Sequence, residues 1–168
     1  HDSELYFKEN KTNISYDNLR NLSKPYNYKL SDGYYVGDHS GAHFFTVGQR
    51  KGLAVGGTKD PLFVLKTDVD QNIIYVGEGN EHPGLFRNIL YISSDDLHLT
   101  REDVFLNKKH SFKVKARIRY RQPLQDALVV FVDNGVFLIF NKKQSAITKG
   151  QFAVWYLGNE LVGSGVIS

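Results

Sequence analysis

Cysteine is absent from the 168 residues. That excludes a disulfide scaffold, a thiolate zinc site and a cysteine nucleophile within the chain. Methionine is absent too, even at position one, which is the expectation for a processed product or a cut fragment. No apolar run approaches the ~18 residues that span a membrane. The opening His1-Asp2-Ser3-Glu4 is polar, unlike a secretory signal. Composition also argues against disorder: 41% of residues are hydrophobic and 23% charged. Aromatics reach 13%, with eleven Phe, ten Tyr and fifteen Gly, a mix that favours short strands and turns over long helices. The length allows one domain or two small ones and a real core.

Charge is unevenly placed. The net charge is +3. Residues 1–90 hold ten Lys+Arg and eleven Asp+Glu, a net −1, whereas residues 91–168 hold eleven and seven, a net +4. The basic character belongs to the C-terminal half, where a cationic surface would suit nucleic acid or another anionic partner.

Ser15 is placed to cap a short helix over Tyr16–Leu22, with Pro25 just past its end. The remainder reads as strands. Tyr34–Val36, His43–Val47 and Leu53–Val55 are short runs. Leu62–Thr67 and Ile73–Val76 form a hairpin around Asp70-Gln71-Asn72. Residues 77–90 are loop-like and mark a boundary. Further strands are expected at Ile89–Ser93, Phe112–Tyr120, Ala127–Val132, Val136–Phe140, Phe152–Leu157 and Leu161–Ile167. Asp133-Asn134-Gly135 and Gly158-Asn159-Glu160 are hairpin turns. The expected fold is mainly β: two small antiparallel units, the second a β-barrel like those of translation factors. The expected division is a lead segment over 1–30, a central β-rich domain over 31–88 and a barrel over 89–168.

The clearest chemical signal lies at residues 113–121. Lys113, Lys115, Arg117, Arg119 and Arg121 occupy every second position, with Val114, Ala116, Ile118 and Tyr120 between them. On a strand all five cations share one face, ~6.6 Å apart. That is near twice the ~3.4 Å spacing of phosphates along one nucleic-acid strand. Lys108, Lys109 and His110 extend the positive stretch. The competing reading is a solvated edge strand guarded by lysines. Arginine pairs with phosphate and stacks on bases. Tyr120 offers either a stacking surface or, by its parity, a core residue.

Other constellations are weaker. Gly52–Lys59 resembles a phosphate loop, but its order is Gly-Thr-Lys where the pattern needs Gly-Lys-Ser/Thr. His39 and His43 lack an obvious third ligand, so no metal is expected. There is no Gly-x-Ser-x-Gly elbow and no convincing catalytic centre.

Gly37-Asp38-His39-Ser40-Gly41, followed by Thr46-Val47-Gly48-Gln49-Arg50-Lys51-Gly52-Leu53, resembles a hallmark stretch of the tRNA-specific 2-thiouridylases. Asp70-x-Asn72, Val76-x-x-Gly79, Arg117-x-Arg119-Tyr120-Arg121-Gln122, Gly150-Gln151-x-Ala153-Val154-x-Tyr156 and Gly163-x-Gly165-x-Ile167 continue the resemblance in the family's order. The resemblance implies a sulfurtransferase whose N-terminal PP-loop domain uses ATP, with magnesium, to adenylate the wobble uridine of certain tRNAs. A cysteine persulfide, charged by a donor protein, then delivers sulfur to C2. It implies that this chain is the two later β domains of a cytoplasmic enzyme, inactive alone because the PP-loop signature and the cysteines are absent. Arg119, Tyr120 and Gln151 match positions that contact tRNA in the family. Gln49, Arg50 and Lys51 are either an RNA-facing loop or a turn organiser, and Gln151 is either a contact or a barrel-turn residue. The stretch at Asp2–Phe7 resembles the family's segment around its second catalytic cysteine, with Tyr6 at the cysteine's place. A phenol carries no persulfide. Either the short stretch is misaligned, or the parent is a degenerate paralogue that binds tRNA without thiolating it. A generic nucleic-acid-binding barrel and a non-RNA interaction module are the other functional classes open at this point.

Overall fold

The computed structural model describes residues 15–101 and 111–168. The readings that fall on Tyr6, Lys108, Lys109 and His110 lie outside the described residues. Ser15 does cap the first helix: its side chain accepts from the Asn18 N–H, and α1 spans Tyr16–Ser23. The fold is mainly β, with nine strands in two sheets among the described residues. No described helix is long and apolar enough to cross a membrane.

The chain divides into two units. One comprises residues through Lys24, Arg87–Gln144 and Thr148–Ser168; the other is Pro25–Phe86 with Ser145–Ile147. In the second unit β1 (Leu62–Asp68) and β2 (Ile73–Glu78) form the expected antiparallel hairpin. Its core gathers Phe45, Leu53, Leu62 and Val64, with Val36, Val55, Ile74 and Val76 packed against them. Three expected strands are corrected here: residues 34–36, 43–47 and 53–55 are irregular or, at Ala42–Phe44, a short 3-10 turn. Val36, Phe45, Leu53 and Val55 fill this core from loops that turn too often to build a ladder, while Tyr34, Tyr35 and Phe44 are exposed. Individual bonds replace the ladder, such as Ala42 N–H to Asn72 Oδ1 at 2.9 Å.

The other unit is a seven-stranded sheet. In chain order its strands are β3 (Phe86–Ser93), β4 (Leu97–Leu99), β5 (Ser111–Arg117), β6 (Gln125–Val132), β7 (Gly135–Ser145), β8 (Phe152–Leu157) and β9 (Glu160–Val166). Their spatial order is β3-β7-β6-β5-β8-β9-β4. The sheet curls so that β3, at one end, meets the chain's last residue just beyond β9. Ser168 N–H donates to the Tyr91 carbonyl at 3.1 Å, and Ser93 N–H donates to Ser168 Oγ at 3.2 Å. One side of β6 and β7 is buried in the barrel through Ala127, Val129, Val136, Leu138 and Phe140. Their other side is covered by α1, whose Leu19 packs with Ile89, Leu128, Val130 and Phe137. Cover on both faces explains why residues 127–130 are a continuous apolar run and not an alternating one.

Candidate nucleic-acid interface

The cationic stripe is shorter than its sequence period. β5 ends at Arg117, and residues 118–121 bend into a turn closed by Gln122 N–H donating to the Arg119 carbonyl at 3.1 Å. Lys113 and Lys115 are exposed between buried Val114 and Ala116, as alternation requires. Arg119 and Arg121 do not continue that face; they stand on the turn. The strand stops because the Ile118 N–H, which a longer ladder would use, is taken by Gln122 Oε1 at 3.1 Å. Lys115 is partnered across the strand by Asp126, at 2.7 Å, so its charge is partly offset. Tyr120 is 86% exposed, which overturns its reading as core.

A long-range pairing then builds a site. β5 lies antiparallel to β8 with Arg117 opposite Val154. That register sets the end of β5 and its turn beside the start of β8. Between them lies a groove of about 460 Å³ lined by Arg117, Arg119, Tyr120, Gln151, Phe152 and Tyr156, among others. Arg117 is the hinge of this groove. Its guanidinium stands 5.7 Å from the Tyr120 ring centre and 5.9 Å from that of Tyr156. Its Nη1 donates to the Tyr120 carbonyl at 3.1 Å, and its Nη2 reaches the Tyr156 hydroxyl at 3.5 Å. Cation and aromatic faces in one cleft suit a phosphate beside an unpaired base. Phe152 is 64% exposed at the groove edge. Phe152 and Tyr156 are site residues that sequence reasoning alone does not reach. Tyr156 stands in the Gly150–Tyr156 family match, but what places both at the groove is the β5–β8 register, which no local pattern encodes.

Gln49 and Gln151 turn out to be built alike. In both Thr46-Val47-Gly48-Gln49 and Thr148-Lys149-Gly150-Gln151, the Gln N–H donates to the Thr carbonyl and the Gln Oε1 accepts from the Thr N–H. In both, the glycine sits at φ 85 and donates its N–H to a neighbouring segment, at Val64 in one unit and Ile167 in the other. The positive φ is why each third position is glycine. The two turns differ in what remains. Gln49 Nε2 donates to the Lys51 carbonyl at 2.9 Å, so both ends of that carboxamide hold the loop. Gln151 keeps its Nε2 donor without a partner among the described residues, at the groove wall. The turn-organiser reading therefore describes Gln49, while Arg50 and Lys51 are exposed beside it. They belong to the other unit from the groove.

The weaker constellations acquire structural explanations. His39 Nδ1 accepts from the Gly41 N–H at 3.1 Å, and His43 packs on Phe44 with ring centres 4.0 Å apart. Among the described residues no group of three or more His, Asp or Glu could hold a metal. Tyr35 hydrogen-bonds Asp38, which holds its phenol above the ordinary range. The Gly52–Lys59 loop does not fit a nucleotide phosphate: it runs into β1 and opens no helix whose N-terminal amides could receive one.

Residues 24–78 match the family described as tRNA methyl transferase PRC-barrel domain, and residues 89–167 the one described as aminomethyltransferase beta-barrel domain. Two family matches in this order define a class: a PRC-barrel domain followed by a β-barrel domain. The chain is 55% identical over 152 residues to the tRNA-specific 2-thiouridylase MnmA of Christiangramia forsetii, covering 90% of this chain and 38% of that protein. It is 52% identical over 165 residues to the enzyme of the same name from Flavobacterium johnsoniae, covering 98% and 42%. Against that of Coxiella burnetii it is 40% identical over 152 residues, covering 88% and 41%. The chain belongs to the MnmA tRNA 2-thiouridylase family as its central PRC-barrel and C-terminal β-barrel portions, and it spans about two fifths of the length of these relatives.

Proposed function

We propose that this chain is the tRNA-holding portion of a cytoplasmic 2-thiouridylase. In this reading the parent thiolates C2 of the wobble uridine, with ATP and magnesium bound by a PP-loop domain and sulfur delivered as a persulfide by a donor protein. The chain itself supplies binding and no chemistry. The division assigned is a central domain at 31–88 and a barrel at 89–168. One observation carries the reading. Arg119, Tyr120 and Gln151, matched separately by resemblance and 32 positions apart at the ends of that set, line one groove with Arg117. A generic barrel has no reason to bring those matched positions together.

Binding of unfractionated tRNA by the chain tests this. Tyr120→Ala and Gln151→Ala should each weaken affinity, Tyr120→Ala by about tenfold, as expected for loss of one stacked base. If both variants bind as the unaltered chain does, the groove is not the RNA surface and the barrel is an interaction module of another kind. A second reading, a paralogue that binds tRNA without thiolating it, is favoured by Tyr6 at the place of a catalytic cysteine. Mass spectrometry of tRNA from cells lacking the parent gene decides between them: loss of 2-thiouridine supports the enzyme, and undiminished 2-thiouridine supports the paralogue.

A further inference from the structure

Arg119, Tyr120 and Arg121 stand on a turn beyond the end of β5, and the turn is tied down from behind. Gln122 accepts the Ile118 N–H with its Oε1 and donates its Nε2 to Gln144 Oε1. Gln144 in turn donates its Nε2 to the Lys142 carbonyl on β7 at 2.7 Å. Two carboxamides thus form one directional file from β7 to the amide that opens the turn. Gln144 is only 4% exposed and Ile118 only 3%, and Gln122 is half-buried, so the file starts inside the protein and reaches the surface at Gln122. On the outer side Arg117 Nη1 holds the Tyr120 carbonyl. The turn is therefore gripped at its first residue, at its apex and at its closing residue.

A buried glutamine is expensive unless both ends of its carboxamide are used. An apolar residue of similar size would pack Gln144's site at no such cost. The use that the fold makes of it is to fix Gln122, and Gln122 fixes the exposed turn. We infer that Gln122 and Gln144 are positioning residues that pre-order the Arg119–Arg121 turn for a polynucleotide backbone. This rests on the reading of that turn as RNA-facing. Pre-ordering raises affinity by removing the entropy that a loose turn would lose on binding. It leaves the number of phosphates contacted unchanged.

The test uses the full chain, unfractionated tRNA and four variants: Gln144→Leu, Gln122→Ala, Arg119→Gln/Tyr120→Ala, and the last combined with Gln144→Leu. Gln122→Ala, at the surface end of the file, covers the case in which Gln144→Leu does not fold. The expected result is an affinity about tenfold weaker for Gln144→Leu and for Gln122→Ala, with the salt slope unaltered and amide exchange faster at residues 118–122. In the Arg119→Gln/Tyr120→Ala background, Gln144→Leu should change affinity less than about twofold, because the two groups of the turn that line the groove are gone. If Gln144→Leu costs as much there as in the unaltered chain, its role is general packing and the inference is overturned. If both glutamine variants bind like the unaltered chain while Arg119→Gln/Tyr120→Ala binds weakly, the inference fails and the RNA surface stands. If Arg119→Gln/Tyr120→Ala itself binds normally, the RNA-facing reading fails, and the positioning role for RNA falls with it.

Discussion

Gly163→Ala probes the packing that shapes the barrel. Trp155 on β8 and Gly163 on β9 are register partners, and Trp155 is fully buried. A Cβ built on Gly163 would fall 2.4 Å from both Trp155 Cε2 and Cζ2 and 2.6 Å from Nε1. Ordinary contacts begin at 3.4 Å, so the indole must retreat by about 1 Å. A close-packed core gives a rigid bicycle little room to do so. Overpacking costs about 1–3 kcal/mol, and simultaneous contact with three ring atoms puts this site near 3 kcal/mol. For a unit of this size each 1 kcal/mol lowers the midpoint by about 4–8 °C, so Tm should fall by about 12–24 °C. The chain holds one tryptophan, and its fluorescence follows this unit alone. Trp155→Phe supplies the control, read by circular dichroism. Nε1 has no hydrogen-bond partner among the described residues, so the exchange to Phe breaks no bond, and it frees the space that the new methyl needs. In that background Gly163→Ala should cost less than half of what it costs in the unaltered chain. A fall in Tm below about 3 °C, or equal costs in both backgrounds, would refute the argument.

The paired turns give a graded prediction. Gly150 has φ +85 and open space around it, so Gly150→Ala should cost about 1–2 kcal/mol from backbone strain alone. Gly48 has the same φ, and its new Cβ would lie 2.7 Å from Ala146 Cβ, so Gly48→Ala should cost more; equal losses in denaturant unfolding would contradict this. Burial, and secondarily neighbouring Tyr26, holds the Tyr28 phenol above its ordinary value of 10.0. Its neutral form is the one the fold prefers. The stability it lends is complete below pH ~10 and is lost as pH rises through the raised value. Stability measured by urea unfolding should therefore decline above pH ~10, and less steeply in Tyr28→Phe; parallel curves would contradict it.

What the sequence revealed follows from how local each signal is. The Asn134-Gly135 hairpin, the Ser15 cap and the β1–β2 hairpin are specified by neighbouring residues, and all three are present. The period-two cations of 113–121 specify a face but not where the face ends. That is decided by Gln122 capturing the Ile118 amide. The groove depends on β5 pairing with β8 across 39 positions, as Arg117 and Tyr156 meet. Residues 34–55 hold apolar triplets that look like strands, yet Val36, Phe45, Leu53 and Val55 serve a core reached from loops. β4, three residues long, exists only as a partner for β9. The shared Thr-x-Gly-Gln turn is four residues with two fixed by geometry, too short to stand out as a repeat. Gly163 and Gly165 were legible as matches, but the reason for them is the side chains they face, Trp155 and Ile92.

The central claim is that the barrel's turn and groove hold tRNA through its backbone. Its most direct test is the salt dependence of tRNA binding by the chain beside Arg119→Gln/Arg121→Gln. Each phosphate contact contributes a slope of about −0.9 on duplex and −0.7 on single strands. A slope of about −2 to −3 is expected for the unaltered chain, shallower by about 1.4–1.8 in the variant. A slope that is the same in both, or no binding at low salt, would contradict it.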